Sequence, residues 1–246
     1  MTRLEAWPLP GIREVRRGDD LAALVSDAAG GALEAGDVLV VAHKIVSKAE
    51  GAVVSLADVA PSQRAVELAA EWNRDPRHIQ VVLDQSAAVL RAERGVLISR
   101  THHGFVCANA GVDASNAAAP DSVVCLPRDP DASARRLRAA LPGRPAVVIA
   151  DSFGRPWRNG QVEVAIGVAG LAPLDDWRGR ADSAGRELRA TWIAVADQAA
   201  AAADLVRGKD SRQPAVVVRG LGRHVTEDDG PGAAALVRPV SEDLFP

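Results

Sequence analysis

The stretch RPAVVIADSFGRPWRNGQVEVAIGVAG, residues 144–170, decides how this chain is read. Its apolar run, 146–150, is rich in β-branched residues and free of polar interruption, which predicts a buried strand. The run ends on an acid and a hydroxyl side by side, Asp151-Ser152. Gly154, Arg155, Pro156, Trp157, Arg158, Asn159 and Gly160 follow, and read as a glycine-punctuated basic loop. A carboxylate at a strand end supplies hard oxygen for Mg²⁺ or Mn²⁺. Backbone N–H groups and arginines of such a loop can face a phosphate. The plainer alternative is a strand end, a turn and a solvated charged loop. The tail of the stretch, 162–173, alternates like a glycine-bearing strand.

Around it lies a chain of 246 residues, long enough to bury a sizeable core as one domain or two interlocked subdomains. A formal net charge of −3 argues against a nucleic-acid binder, which needs clustered positive charge. A polyanionic ligand must then be met by local arginines. Cys107 and Cys125 have no CxxC spacing, which suits a reduced, cytoplasmic chain. The N-terminal MTRLEAWPLPG has no signal-peptide core, and no run of about 18 apolar residues offers a membrane span. The expectation is a soluble intracellular protein. Of 29 basic residues only Lys44, Lys48 and Lys209 are lysines. A lysine amid arginines can mark a place that wants a compact ammonium.

In chain order, WPLPGI at 7–12 cannot be helical, and Gly11 permits close approach of a ligand or simply a rigid turn. Asp19-Asp20 caps a short helix stopped by Gly30-Gly31. Residues 37–46 read as a central strand carrying His43 and Lys44 at its end. A lysine there pairs with an acid or contacts phosphate, whereas a lone histidine is more often structural. Helices over 61–72 and 77–91 look like scaffold. Residues 95–113 read as a bent hairpin ending on Asp113, with Asn116 three residues on, so that both can face one ligand. His102-His103 beside Cys107 raises a zinc reading, although the spacing matches no familiar ligand pattern. Asp129-Pro130-Asp131 opens a helix in the usual way, and Arg135 and Arg136 on it are solvated or reach an anionic substrate. Residues 177–189 form a charged connector. Residues 191–208 read as a strand start and an alanine-rich helix with Gly208 as its cap. A polar loop at 209–213 leads into a last buried strand. From residue 227 the composition suggests a tail or linker. Gly208-Lys209 is not a P-loop, since Ala203 stands where the first glycine belongs, and GxGxxG is missing.

Several stretches together resemble the coenzyme F420-0 γ-glutamyl ligases. They are LPGI at 9–12, DVLVVAHKIVSKAEG at 37–51, THHGFVCANAGVDASN at 101–116, DPDASARRLR at 129–138, ADSFGRPWRNGQVEVAIGVAG at 150–170 and AVADQAAAAADLVRGK at 195–209. The likeness is collinear to about residue 221. It implies an α+β fold of the family's own, a mixed or antiparallel sheet with two interlocked subdomains and neither P-loop nor Rossmann motif. Residues 1–226 would be the ligase domain and 227–246 a tail or linker remnant. It also implies a homodimer that adds L-glutamate to coenzyme F420-0, then to the γ-carboxylate of the glutamate just added, at the expense of GTP. Mg²⁺ or Mn²⁺ would be needed, two ions per site, with K⁺ a further candidate; neither nucleic acid nor membrane is a partner.

Carried over by position, Asp113 and Asp151 resemble metal ligands, and Ser152 offers its hydroxyl to a second metal where the family usually has threonine. Leu9, Pro10, Gly11, Ile12, His43, Lys44, Lys48, Asn116, Val206, Arg207, Gly208 and Lys209 fall at GTP-contact positions. Asp113, Asp151 and Lys48 are the catalytic candidates, with Arg155 and Arg158 as substrate or phosphate contacts. Two departures stand out. His43 replaces a common glutamine or serine, and Lys209 occupies a loop position often held by a metal-coordinating or polar residue. Two other classes compete: a metal-dependent phosphohydrolase using the same acids, and a catalytically silent GTP-binding module. The end of the chain also resembles the junction that, in two-domain relatives, leads to a nitroreductase-like flavin domain.

Overall fold

The alternation of apolar side chains to both faces of a five-stranded sheet organises the molecule, described here from a computed structural model over residues 3–117 and 119–244. The elements run β1 (Glu5–Pro8), α1 (Leu21–Ala29), β2 (Val38–Ala42), α2 (His43–Glu50), β3 (Val53–Ser55), α3 (Gln63–Trp72) and α4 (Pro76–Asp84). A second group comprises β4 (Ser86–Glu93), β5 (Val96–Thr101), β6 (Val106–Ala108), β7 (Ser122–Val124) and α5 (Pro130–Ala140). The chain continues through β8 (Ala146–Arg155), β9 (Arg158–Ala169), β10 (Leu174–Asp176), β11 (Trp192–Ala194), α6 (Val195–Val206) and β12 (Ala215–Arg219). The fold is α+β.

The central sheet has the order β1-β12-β2-β8-β9. Only β2 and β8 pair in parallel; every other neighbour is antiparallel. Leu39, Val41, Val147, Ile149 and Val217 face one way, against α1, α2 and α5. Val38, Val40, Val148, Val216 and Val218 face the other, against Ala196, Ala199, Ala200 and Ala203 of α6. Alanine at these contacts lets that helix lie close to the sheet. A separate core of Leu56, Ala65, Ile79, Val82, Leu97 and Val123 joins α3 and α4 to the smaller sheets. That second core gives the interlocked subdomain.

Where the elements begin and end follows local chemistry. Asp20, Ser62, Asp75 and Asp129 each accept a backbone N–H in the first turn of their helices. Gly30 closes α1 in the left-handed conformation, as the sequence predicts. Gly167 is needed because a Cβ there would lie 2.4 Å from the Pro130 carbonyl oxygen, where α5 crosses β9.

Four sequence expectations are corrected. The strand expected over 37–46 stops at Ala42, and His43 begins a helix that buries Ile45 and Val46 on one side. The helix expected over 77–91 ends at Asp84, where the Ser86 hydroxyl donates to the Val82 carbonyl, and 86–93 becomes a strand. Arg94 and Gly95, both at positive φ, form the tight turn that pairs it with β5. The basic loop after Ser152 is a hairpin, its strands pairing out to Arg155 and Arg158 with Pro156-Trp157 at the tip. Finally, α6 closes at Arg207 in an extended conformation, so Gly208 is not its cap.

The segment beyond residue 226, tail-like in composition, packs on α5 and the end of β9. The buried Arg138 guanidinium donates to the carbonyls of Thr226 and Glu227 and, at 2.7 Å, to Asp229. Asp131 accepts from the backbone N–H groups of Val168, Ala233 and Ala234. Arg138→Met leaves those acceptors without their donor, at a cost of about 3 kcal/mol. It should make the 226–237 stretch cleavable by protease under conditions where the parent protein resists.

Candidate active site

Strand direction decides where the chemistry collects. β2 finishes, and β8 leaves it to continue as a hairpin with β9, at the same edge of the central sheet, at the paired residues Ala42 and Ala150. β1 ends there too, at Pro8 opposite Val216, and β12 starts there, at Ala215 opposite Val41. The turn at 9–12, the start of α2, the acid–hydroxyl pair and the loop 207–214 therefore share one edge. Backbone bonds stitch them together: Leu9 N–H donates to Ala215 O, and Ala42 N–H to Pro214 O.

The first turn of α2 brings two distant aspartates to this edge. His43 Nε2 lies 3.3 Å from Asp151 Oδ1. Its neighbour Lys44 donates to Asp113 Oδ2 at 2.6 Å and to the carbonyl and hydroxyl of Ser115. Asp113 sits opposite Val124 in an isolated bridge, so its side chain projects from a fixed backbone. It also accepts from the backbone N–H and hydroxyl of Ser115. Burial raises the Asp113 pKa, but the Lys44 ammonium and the Ser115 donors outweigh it, and the carboxyl is held below its usual range. It is ionised at neutral pH. His43 is itself buried, with Nδ1 3.3 Å from Ser47 Oγ.

On the other side, Asp151 Oδ1 accepts the Ser152 N–H at 2.8 Å. Ser152 pairs across the sheet with Glu163, a buried carboxylate at the start of the apolar half of β9. The Ser152 hydroxyl lies 3.4 Å from Glu163 Oε1 and accepts from the Lys209 ammonium. Glu163 Oε2 is paired with Arg207, and both side chains are buried.

The predicted residues thus divide. Asp113, Asp151, Ser152, His43, Lys44, Gly208 and Lys209 share the edge, with Pro10 and Gly11 exposed beside it and Asn116 exposed next to Ser115. Leu9 and Ile12 turn their side chains into the core. Val206 ends α6, and the Arg207 guanidinium is committed to Glu163. Lys48, one turn further along α2, is buried and paired with Glu14, so it braces the 9–14 segment rather than meeting either aspartate. Arg155 and Arg158 lie at the hairpin tip, where Arg155 donates to Asn159 O; at about 3.3 Å per residue Arg155 is roughly 13 Å along the strand from Asp151.

Sequence reasoning missed Glu163, Ser115, Glu14 and Asp204. For Glu163 a signal existed, namely one acid inside the alternating run VEVAIG. His102 and His103 each place Nε2 on a backbone carbonyl, of Asp84 and of Pro127. Cys107 is buried close enough to Asp151 for both burial and that charge to push its thiol pKa up to about 12.

Among the described residues no three His, Cys, Asp or Glu side chains form a metal-holding group. The donor chemistry still suits one hard divalent ion. The hydrogen bond that the Asp151 carboxylate accepts from Ser152 uses Oδ1, and the ionised Asp113 keeps a free lone-pair position on Oδ1. A second ion at Ser152 is a poor match, because Lys209 already holds that hydroxyl.

The family described as F420-0:Gamma-glutamyl ligase matches residues 11–220. The coenzyme F420:L-glutamate ligase of Methanopyrus kandleri is 46% identical over 248 residues, covering 98% of this chain and 97% of that protein. The enzyme of the same name from Methanothermobacter thermautotrophicus is 44% identical, covering 98% and 96%. That from Natronomonas pharaonis is 47% identical, covering 98% and 94%. The likeness first seen in the quoted motifs holds across nearly the whole chain. The chain belongs to the F420-0:gamma-glutamyl ligase family.

Proposed function

We propose that this enzyme couples L-glutamate to the carboxylate of coenzyme F420-0 at the expense of GTP, at the sheet edge that carries Asp113 and Asp151. Its relatives are named coenzyme F420:L-glutamate ligases, and the chain covers nearly their whole length. The observation that carries the placement is local: consecutive residues of one helical turn, His43 and Lys44, touch Asp151 and Asp113 respectively.

A carboxylate does not condense with an amine unless one of its oxygens is first made a leaving group. In the proposed sequence the F420-0 carboxylate oxygen attacks the γ-phosphorus of GTP, and GDP departs. The glutamate amine then attacks the acyl phosphate, releasing phosphate and a proton as the amide forms. Phosphoryl transfer asks mainly for alignment and for neutralisation of the phosphate oxygens. A divalent cation bound between Asp113 and Asp151 would supply that neutralisation. Lys44 and Lys209 add fixed positive charge on either side, while the 9–12 turn, the loop at 206–209 and Asn116 offer exposed backbone and amide groups for the nucleotide. After the first addition the product again ends in a carboxylate of the same kind, which supports repeated γ-linked addition.

The test is product analysis of the purified protein with F420-0, glutamate, GTP and Mn²⁺. The expected result is a mass gain of one glutamyl unit, or several, with phosphate released only when glutamate is present. Phosphate release at the same rate without glutamate would identify a phosphohydrolase instead. GTP binding without turnover would identify a silent module.

A further inference from the structure

Ser152 lies in a pocket of charge that is already balanced. Its hydroxyl accepts from Lys209 Nζ at 2.5 Å. The same ammonium stands 3.8 Å from Glu163 Oε1 and 3.8 Å from Asp204 Oδ1. The other oxygen of Glu163 is taken by the buried Arg207 guanidinium. Two carboxylates, Glu163 and Asp204, are therefore met by two fixed cations, Arg207 and Lys209. A divalent ion placed on the Ser152 hydroxyl would find no uncompensated charge on Glu163 or Asp204 and would be repelled by an ammonium at contact distance. Around the two aspartates the balance differs: among the described residues Lys44, on Asp113, is the one lysine or arginine paired there, against two carboxylates.

We propose that Lys209 is a built-in cation of this site, holding at Ser152 the place of a second divalent ion, so that each chain takes up one divalent ion and not two. The inference rests on the reading of Asp113 and Asp151 as the cation site. An ammonium carries three donors, and among the described residues only Ser152 lies within hydrogen-bond distance of this one. Two donors remain for an anion such as a phosphate oxygen. The charge is thus supplied without a metal's coordination demands, on an exposed side chain.

The experiment counts ions rather than turnover. Mn²⁺ alone is titrated into the purified protein, and free Mn²⁺ is followed by its paramagnetic resonance signal. The parent protein and Lys209→Arg should each bind one ion per chain. Lys209→Gln removes the ammonium while leaving Ser152, Glu163 and Asp204 in place, and should bind two. Circular dichroism and the melting temperature show that each variant is folded, as expected for a loop residue. Two ions per chain in the parent would overturn the inference while leaving the aspartate site standing. One ion per chain in both parent and Lys209→Gln would overturn it as well. No bound ion in the parent, or an unchanged count in Asp151→Asn, would remove the aspartate site and the inference with it.

Discussion

Asp151→Asn should lower glutamate addition by about 10²–10³-fold while leaving the fold unchanged. The size follows from what is removed, a carboxylate that on the proposed reading helps hold the cation that balances the triphosphate; single groups that stabilise charge in a transition state commonly carry losses of about 10²–10³. The fold should survive because the asparagine oxygen can still accept the Ser152 N–H that Asp151 Oδ1 accepts now. Stability should stay within about 0.5 kcal/mol of the parent, as for ordinary substitutions away from a packed core. Asp113→Asn should behave alike in turnover, with a larger loss of stability, because Lys44 and both Ser115 donors lose their charged acceptor. The measurements are steady-state rates and denaturant midpoints on the same preparations. Turnover within a few-fold of the parent in either variant would remove that residue from the site.

The largest expected effect on stability belongs to Glu163→Ala. This carboxylate and its partner Arg207 have side-chain exposures of 5% and 8%, so neither is rescued by water. Desolvating two charges is costly, and their pairing offsets that cost only while both are present. Deleting Glu163 strands a buried guanidinium and should destabilise the protein by about 3–5 kcal/mol. For a domain of this size that is a fall in melting temperature of roughly 6–20 °C. The double variant Glu163→Leu/Arg207→Leu should recover much of the loss, because an apolar pair carries no desolvation penalty. A loss below about 0.5 kcal/mol in Glu163→Ala would mean that the pair is wet and contributes nothing.

Part of the fold and part of the site are legible in the chain itself. The β-branched run ending in Asp151-Ser152 is a central strand that delivers its acid to the sheet edge. The caps at Asp20 and Asp129 start helices where their side chains predict. The rarity of lysine is informative: Lys44 sits on Asp113, Lys48 on Glu14 and Lys209 on Ser152. The partners themselves are not legible, because Lys44 and Asp113 are 69 positions apart and Lys209 and Ser152 are 57 apart. Only the tertiary arrangement of helix, strands and loops at the sheet edge joins them.

Two of the errors share one cause, a change of period inside a continuous apolar pattern. Residues 38–46 look like one strand because Ile45 and Val46 prolong the run, yet they face the core from a helix. Residues 77–91 look like one helix because Val89 and Leu90 continue it, yet the Arg94-Gly95 turn folds that part back as a strand. Glu163 escapes notice for the opposite reason. A charge in a buried strand has meaning only when its partner is known, and Arg207 enters from another element.

In the proposed mechanism the γ-phosphoryl group of GTP passes to the carboxylate of F420-0 before the amine attacks. Its most direct test is oxygen transfer, with F420-0 labelled by ¹⁸O in the acceptor carboxylate and the released phosphate analysed by mass. One ¹⁸O in each phosphate, matched to each amide formed, is the expected result. Unlabelled phosphate released alongside normal amide formation would contradict it.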